Sequence, residues 1–523
     1  MSTMWGRSVA LLSGCLQSFH RLQLSQRTPV RSWSSAVSFS ASDESGLQRD
    51  ESNGHGSRLS VAIVGAGPAG FYVASKLSKR VPATQIDLLE ALPSPYGLVR
   101  SGVAPDHPDT KNVVHQFRDL MKEGVVKYFG NVRVGQDVSL RELRGLYDAV
   151  VLTYGAEGGK RLNIDGRDLK NVMSARDFVN WYNGVPAEGS GGLQLVPEFK
   201  GVRSVVICGL GNVALDCARI LLKDAVSALH PTDMATRAVR ALEDARVEDV
   251  HILSRRGPAQ AACTPKELRE MLNVEGVRVW VHPEGVLDGL GTTCLEELKA
   301  SRIHRRVVDV LKKRIQSAPE VKETTEVKNL HLHFLSSPAA YHGHDGAVTE
   351  AVVEQMALDS TSVPQRAVRT GTTSSLPCQM VIESVGYKAA AMDGAPFDEA
   401  SATVPNVLGL VKGTEDVADL YCCGWLKRGP SGIIGTNLVD AEQTVDTMVR
   451  HMGAKAGERA AAKAAGREWG RAGLSSLLNE KQHRIVSFDD WERIDAEEIR
   501  RGKDAGKTRE KFVRVDEMLR VVA

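Results

Sequence analysis

The apolar run Leu59-Ser-Val-Ala-Ile-Val64 passes without a break into Gly65-Ala-Gly67-Pro-Ala-Gly70, and a helical pattern follows. A G-x-G-x-x-G turn held between a buried parallel strand and a helix leaves few folds open. The first glycine permits the tight turn, the second lets backbone approach a pyrophosphate closely, and the third lets the helix pack against the strand. The helix N-terminus then offers unpaired N–H groups and a positive dipole end to an anion. Ile86-Asp-Leu-Leu89 reads as the next strand, and Glu90 ends it, 25 residues after Gly65. A carboxylate there suits the hydroxyls of an adenosine ribose. The Pro-Ala form of the turn, with its terminal Glu, leans toward FAD over NAD.

The pattern recurs in altered form. Ser204-Val-Val-Ile-Cys208 leads into Gly209-Leu-Gly211-Asn212-Val213-Ala214, and the following strand, Val250–Leu253, ends in Ser254-Arg255-Arg256. No acid stands where a free ribose 2′-hydroxyl would favour one. Two guanidiniums stand there instead, and Arg binds a 2′-phosphate through bidentate, charge-assisted bonds. The second turn therefore points to NADP.

A third constellation, from Gly424 to Ile434 (GWLKRGPSGII), follows a strand ending at Cys423 and leads into a helical pattern from Ala441. A glycine-rich loop at a helix start, late in a chain whose FAD turn is early, fits a discontinuous flavin domain. Backbone N–H groups there would stabilise negative charge building on one side of a flavin ring. Trp425 reads equally as a flavin contact and as ordinary core. The two glycine turns together predict an α/β fold with two Rossmann-like dinucleotide-binding domains. Residues 223–249 read as a helical insertion, 294–316 as a basic helix, and 453–472 as helical or loosely ordered.

Composition sets the outer bounds. The 523 residues suffice for several domains, and 42% hydrophobic with 25% charged residues is ordinary for a globular protein. No apolar run is long enough for a membrane-spanning helix, so membrane contact is peripheral at most. A net charge of +2 gives no reason to expect nucleic acid. Residues 1–42 hold Arg7, Arg21, Arg27 and Arg31, many serines and no acidic residue, the signature of an organelle transit peptide and chiefly of a mitochondrial one. Without those four, 62 basic residues face 64 acidic ones. None of the eight cysteines forms C-x-x-C or a metal-ligand spacing, so no metal site is expected.

Longer strings carry a resemblance. GAGPAGFYVA (65–74), YGLVRSGVAPDHPDTKNV (96–113), YGAE (154–157), GNVALD (211–216), RRGP (255–258), KELREM (266–271), LPC (376–378), GYK (386–388), GWLKRGPSGIIGT (424–436) and VSFDDWERIDAEE (486–498) are similar to the mitochondrial NADPH:ferredoxin (adrenodoxin) reductase family. The match runs from about Leu59 to the C-terminus and is poor over 223–249 and 317–375. It implies a glutathione-reductase-like architecture. Residues 1–58 would be a transit peptide and linker, 59–158 and 389–523 the two parts of the FAD-binding domain, and 159–388 the NADP-binding domain.

The resemblance also implies site residues. Ala69, Glu90, Leu98 and Val134 would touch FAD, beside Gly65, Gly67 and Gly70 of the turn. Trp425 and Gly432, Ile433 and Ile434 would lie at the flavin ring, with Gly432 touching both cofactors. Gly211, Asn212 and Val213 would hold the NADP pyrophosphate, Arg255 and Arg256 the 2′-phosphate, and Glu267 a further part of the nicotinamide nucleotide. His107, Asp216 and Glu267 are the catalytic-site candidates, as organisers or proton-path groups, because hydride transfer from NADPH needs no general base.

The implied reaction takes a hydride from NADPH to FAD and passes two electrons singly to a [2Fe–2S] ferredoxin of the adrenodoxin type in the mitochondrial matrix. Ferredoxins are acidic, so a local basic patch is expected. The densest basic run includes Arg302 and Arg306, four apart on one helix face, with Arg269 and Lys79 as further members, and the family suggests a monomer. Three other readings compete. A flavin disulfide reductase needs a redox cysteine pair, and only adjacent Cys422-Cys423 is available. A glutamate-synthase-small-subunit-like NADPH oxidoreductase would carry cysteine clusters before the FAD turn, where only Cys15 lies. A non-catalytic flavin-binding protein would not need both nucleotide sites intact.

Overall fold

The computed structural model describes residues 59–186, 196–317, 327–413, 419–454 and 469–523. The targeting segment expected over 1–58 and most of the 453–472 stretch lie outside them.

Strand β1 (Ser60–Val64) is buried along its whole length, as a parallel strand covered on both faces must be. It pairs in parallel with β2 (Gln85–Leu89) on one side and β4 (Ala149–Leu152) on the other, and β3 (Val126–Phe129) extends the sheet beyond β2. Helix α1 (Pro68–Arg80) crosses over between β1 and β2. It opens with Pro68 at its first position, where a missing N–H costs nothing, and buries Phe71, Tyr72, Val73 and Leu77.

The chain leaves this sheet after β4 and builds a second one. There β5 (Ser204–Cys208) and β6 (Asp249–Ser254) pair in parallel, with α2 (Asn212–Leu222) between them. The strand order is 172–174, 380–383, β5, β6, 328–334, 277–282, all parallel. Helices α3 (Pro265–Leu272) and α4 (Arg302–Gln316) pack together on it. Three antiparallel strands, 336–344, 347–359 and 366–377, make a separate sheet. The chain then returns. Strand β7 (Asp419–Cys422) pairs in parallel with β4, and α5 (Thr436–Ala454) packs against α1. Where the chain leaves and re-enters the first sheet, Gly158–Gly159 pairs antiparallel with Tyr387–Lys388. Helix α6 (Phe488–Asp504) lies near the C-terminus and starts in a capping box of Ser487 and Asp490.

The two Rossmann-like sheets and the discontinuity of the first are therefore as the glycine turns predict. Two local expectations change. The basic segment 294–316 is two helices, Thr292–Ala300 and α4, broken at Ser301, whose hydroxyl accepts the His304 N–H at 3.3 Å and so starts a new helix. The 223–249 insertion is helical only at a short turn, Ala225–Leu229, and at Thr236–Glu243.

Candidate active site

A cleft of about 1190 Å³ opens at the C-terminal ends of β1 and β4. Of the residues expected at FAD, Gly65, Gly67, Ala69, Glu90, Leu98, Val134, Trp425, Gly432, Ile433 and Ile434 all line it. Gly70 does not; a side chain there would sit 2.2 Å from the Gly65 carbonyl, so it serves the helix–strand contact. Gly65 has φ +107°, where a Cβ would press on the Tyr154 backbone at 2.7 Å. Gly67 is the reverse case, since a Cβ there meets nothing within 4 Å. That open space is what a pyrophosphate approaching the backbone needs.

Glu90 turns its carboxylate into this turn. Oε2 accepts the Ala66 N–H at 2.9 Å, and Oε1 accepts the Leu92 N–H at 3.3 Å. Burial pushes its pKa up to about 7 despite those bonds. On the opposite wall, Gly424 (φ +75°) lets the returning chain pass Ala69 closely, because a Cβ there would lie 2.7 Å from the Ala69 Cβ. The loop 432–435 then delivers the N-terminus of α5 to the cleft. Trp425 lines the cleft and packs on Tyr387, with ring centroids 5.2 Å apart.

The second turn lies apart from the cleft. Residues 209–214 and Arg255-Arg256 emerge side by side from the paired ends of β5 and β6, where Cys208 stands opposite Leu253. Gly209 (φ +114°) passes the Ser384 carbonyl so closely that a Cβ would be 2.4 Å from it, whereas a Cβ on Gly211 would meet nothing within 4 Å. The Asn212 side chain is already engaged, accepting the Thr264 N–H at 2.8 Å and anchoring the start of α3. Val213 is half-buried against the second core. Arg255 is exposed and Arg256 half-buried. Both turns fit dinucleotides: each keeps its middle glycine open, the first carries an acid for a ribose, and the second carries two cations for a 2′-phosphate.

His107, Asp216 and Glu267 come together around a residue that sequence reasoning misses, Arg219. Its buried guanidinium donates to Asp106 at 2.6 and 3.1 Å and to Asp216 at 2.6 Å, and lies 3.9 Å from Glu267. His107 Nδ1 is 2.9 Å from the Arg219 guanidinium and 3.0 Å from Asp106, while Nε2 is 2.7 Å from Glu270 and 3.6 Å from Glu267. The bond to Asp106 raises the His107 pKa, against its burial. Burial would raise Asp106 too, but the bonds from His107, Arg219 and Lys223 hold it well below the usual carboxylate range. Asp216 is pushed up to about 6 by burial, against the pull of Arg219.

Sequence reasoning also misses Arg176 and Asn180 on the cleft wall. Arg176 Nε and Nη1 and Asn180 Oδ1 are buried without hydrogen-bond partners among the described residues. Buried polar atoms of this kind call for a ligand. The Ser174–Asp177 capping box marks the helix that carries them and is a signal visible in sequence.

The basic residues expected to form a patch lie on α1, α3 and α4. Arg306 and Lys313 of α4 share a groove with Lys266 and Arg269 of α3, and Arg302 is exposed one turn before Arg306. Lys79 is exposed on α1. The seven cysteines among the described residues are all buried and free. Burial pushes the Cys422 thiol up to about 12, which does not suit a redox pair.

Two nucleotide turns, each opening a parallel sheet, with the first sheet completed by the chain's return, define a two-dinucleotide flavoprotein oxidoreductase. The family described as pyridine nucleotide-disulphide oxidoreductase matches residues 59–283. The mitochondrial NADPH:adrenodoxin oxidoreductase of Arabidopsis thaliana is 41% identical over 475 residues, covering 89% of this chain and 95% of that protein. The human protein of that name is 40% identical and covers 88% and 91%. The solved structure of Mycobacterium tuberculosis FprA in complex with NADPH superposes with a TM-score of 0.80 at 37% identity, covering 89% of this chain and 99% of that one. The chain belongs to the NADPH:adrenodoxin oxidoreductase family.

Proposed function

We propose that this chain is a mitochondrial enzyme that moves electrons from NADPH through FAD to a [2Fe–2S] ferredoxin. Electron transfer from NADPH to a ferredoxin-type protein, with FAD and NADP as cofactors, is the activity of its family. The mitochondrial setting and the iron–sulfur partner are the finer reading. Bound FAD supplies the capacity to accept a hydride and release its electrons one at a time.

The observation that carries the proposal is the cleft, whose lining brings together the first glycine turn, Glu90 and the loop that starts α5. Gly67 and the N-terminus of α1 would receive the pyrophosphate, and Glu90 the ribose hydroxyls. The N–H groups of 432–435 would face the flavin ring. Arg255 and Arg256 would grip the 2′-phosphate. Arg219 positions His107, Asp216 and Glu267 as one charged unit, able to hold a proton on His107 beside the nicotinamide nucleotide. The FAD-binding domain would comprise 59–158 and 389–523, with NADP held by 159–388.

The groove of Lys266, Arg269, Arg306 and Lys313, with Arg302 beside it, offers the local positive surface that an acidic ferredoxin needs. Surface charge of this kind steers association and makes its rate salt-dependent. The chain would act as a monomer, with at most peripheral membrane contact; among the described residues no helix is long and apolar enough to cross a membrane. The Arg-rich, acid-free composition of 1–42 supports import into mitochondria, and a fluorescent protein carrying residues 1–58 should be found there. The decisive variant is Arg302→Glu with Arg306→Glu. It should cut ferredoxin reduction more than ~10-fold at low salt, less so at high salt, and leave NADPH-dependent reduction of a small dye unchanged. Equal loss of both activities would refute the docking assignment.

A further inference from the structure

Four histidines of the second sheet take no part in the site above. His251 lies on β6, His331 and His333 on the neighbouring strand 328–334, and His282 on the next strand, 277–282. In register, His251 is opposite His331, and His333 is opposite His282. Alternate residues of a strand share a face. Leu330, Leu332 and Phe334 fill the core on one face, and the four imidazoles gather on the other.

Their arrangement is close. His251 Nδ1 is 3.1 Å from His333 Nε2, and His282 Nε2 is 3.3 Å from His331 Nδ1. One ring nitrogen from each of His251, His331 and His333 lies within 4.8 Å of the other two. His331 Nε2 is 3.3 Å from the Asp249 carboxylate, which also accepts from Asn329 at 3.0 Å. A carboxylate behind an imidazole is the usual means of orienting a metal-ligating histidine. The face is not sealed: His331 and His333 are half-buried, and the adjoining Trp280 is 43% exposed, so an ion has a way in.

We propose that His251, His331 and His333, with His282 adjacent and Asp249 behind His331, form a binding site for a borderline transition-metal dication such as Zn²⁺. Imidazole donors suit Zn, Cu, Fe and Ni and do not suit Mg or Ca. Three nitrogens leave a fourth position of a tetrahedral ion for His282 or a water. The site lies on the strand that ends in Arg255-Arg256, and an ion there ties that strand to its neighbour.

The test uses the full chain with its flavin bound, stripped of metal with a chelator and then dialysed against Zn²⁺ in the presence of a competing chelator. One Zn²⁺ per chain should be retained, and zinc-edge X-ray absorption should show three or four imidazoles at about 2.0–2.1 Å. His331→Gln with His333→Gln should weaken zinc binding at least ~100-fold, and Asp249→Asn about 10-fold. No retained zinc, a zinc shell with two or fewer imidazoles, or a double variant that holds zinc as tightly as the unaltered chain would each overturn the site and leave the four rings as a packing array. The cluster of His107, Glu267 and Glu270 offers only one imidazole, so the absorption measurement separates the two places. If the double variant loses its flavin, the absorption spectrum of the unaltered chain decides alone.

Discussion

Glu90 shows how a single side chain ties a fold signature to chemistry. Ribose hydroxyls donate to a carboxylate and cannot donate in the same way to a neutral acid. Burial places the pKa of Glu90 at about 7 in the chain without ligand, so if Glu90 holds the ribose as proposed, FAD binding would draw on the deprotonated fraction. Affinity for FAD is therefore expected to be level above about pH 7 and to fall up to ~10-fold per unit below it. Glu90→Gln should bind FAD ~10–100-fold more weakly above pH 7, the worth of a bond to a charged group, and should lose the pH dependence. Quenching of FAD fluorescence by apoprotein across pH 5–9 measures both effects. Arg255 and Arg256 make the matching case for the second nucleotide. Replacing both by Ala should raise KM for NADPH ~10–100-fold with kcat little changed, and leave KM for NADH where it was. Steady-state kinetics with the two nucleotides decides it. Glycines, Glu90 and the Arg pair are legible in sequence because each stands at a fixed offset from a strand end. Arg219 is not, because its partner Asp106 is 113 residues away.

At the scale of elements, the parallel strands are easy to read because burial on both faces makes them short apolar blocks. Strand 328–334 is readable in another way, as Leu330, Leu332 and Phe334 alternate with His331 and His333. The antiparallel sheet 336–377 is not legible as a unit: its strand 366–377 is mostly exposed, and its anchor, the Tyr341 hydroxyl donating to Glu383 at 3.1 Å, joins residues 42 apart. Helix α6 announces its start through Ser487 and Asp490, yet what it holds is hidden. Glu498, fully buried, accepts from Arg100 at 2.6 and 2.9 Å, from Arg509 at 3.0 Å and from the Phe512 N–H at 3.0 Å. The helix thus clamps the segment that runs from Tyr96 toward His107. Glu498→Gln leaves Arg100 without its anion and takes from Arg509 one of its two, the other being Asp495, and breaking a buried pair from one side costs ~3–5 kcal/mol. An unfolding free energy lower by that amount, seen as a lower midpoint at unchanged slope, is expected in denaturant titration, and an unchanged midpoint would show that the clamp carries no load.

At the scale of the whole molecule, the first sheet is assembled from the two ends of the described chain, with β7 docking on β4 only after more than 260 intervening residues have made the second sheet. Long-range pairing of this kind gains nothing until a long loop has been closed. The cleft spans the join. Residues 65, 67–69, 132–136 and 153–157 of its lining come from the first piece, and 390–393 and 432–435 from the second. A ligand filling it contacts both pieces and binds only the assembled state. At free FAD a thousand times its Kd, that linkage is worth about 4 kcal/mol. Removing FAD should therefore lower Tm by several degrees, and Tm should climb again with the logarithm of added FAD. The secondary structure should survive its removal, since both sheets keep their own buried cores, so far-UV circular dichroism should change little. Proteolysis of the apoprotein should open first near the 428–435 loop, where ligand contacts replace core packing. A Tm that ignores FAD concentration would mean that the two pieces hold together unaided, with the cofactor a passenger in a join the protein closes by itself.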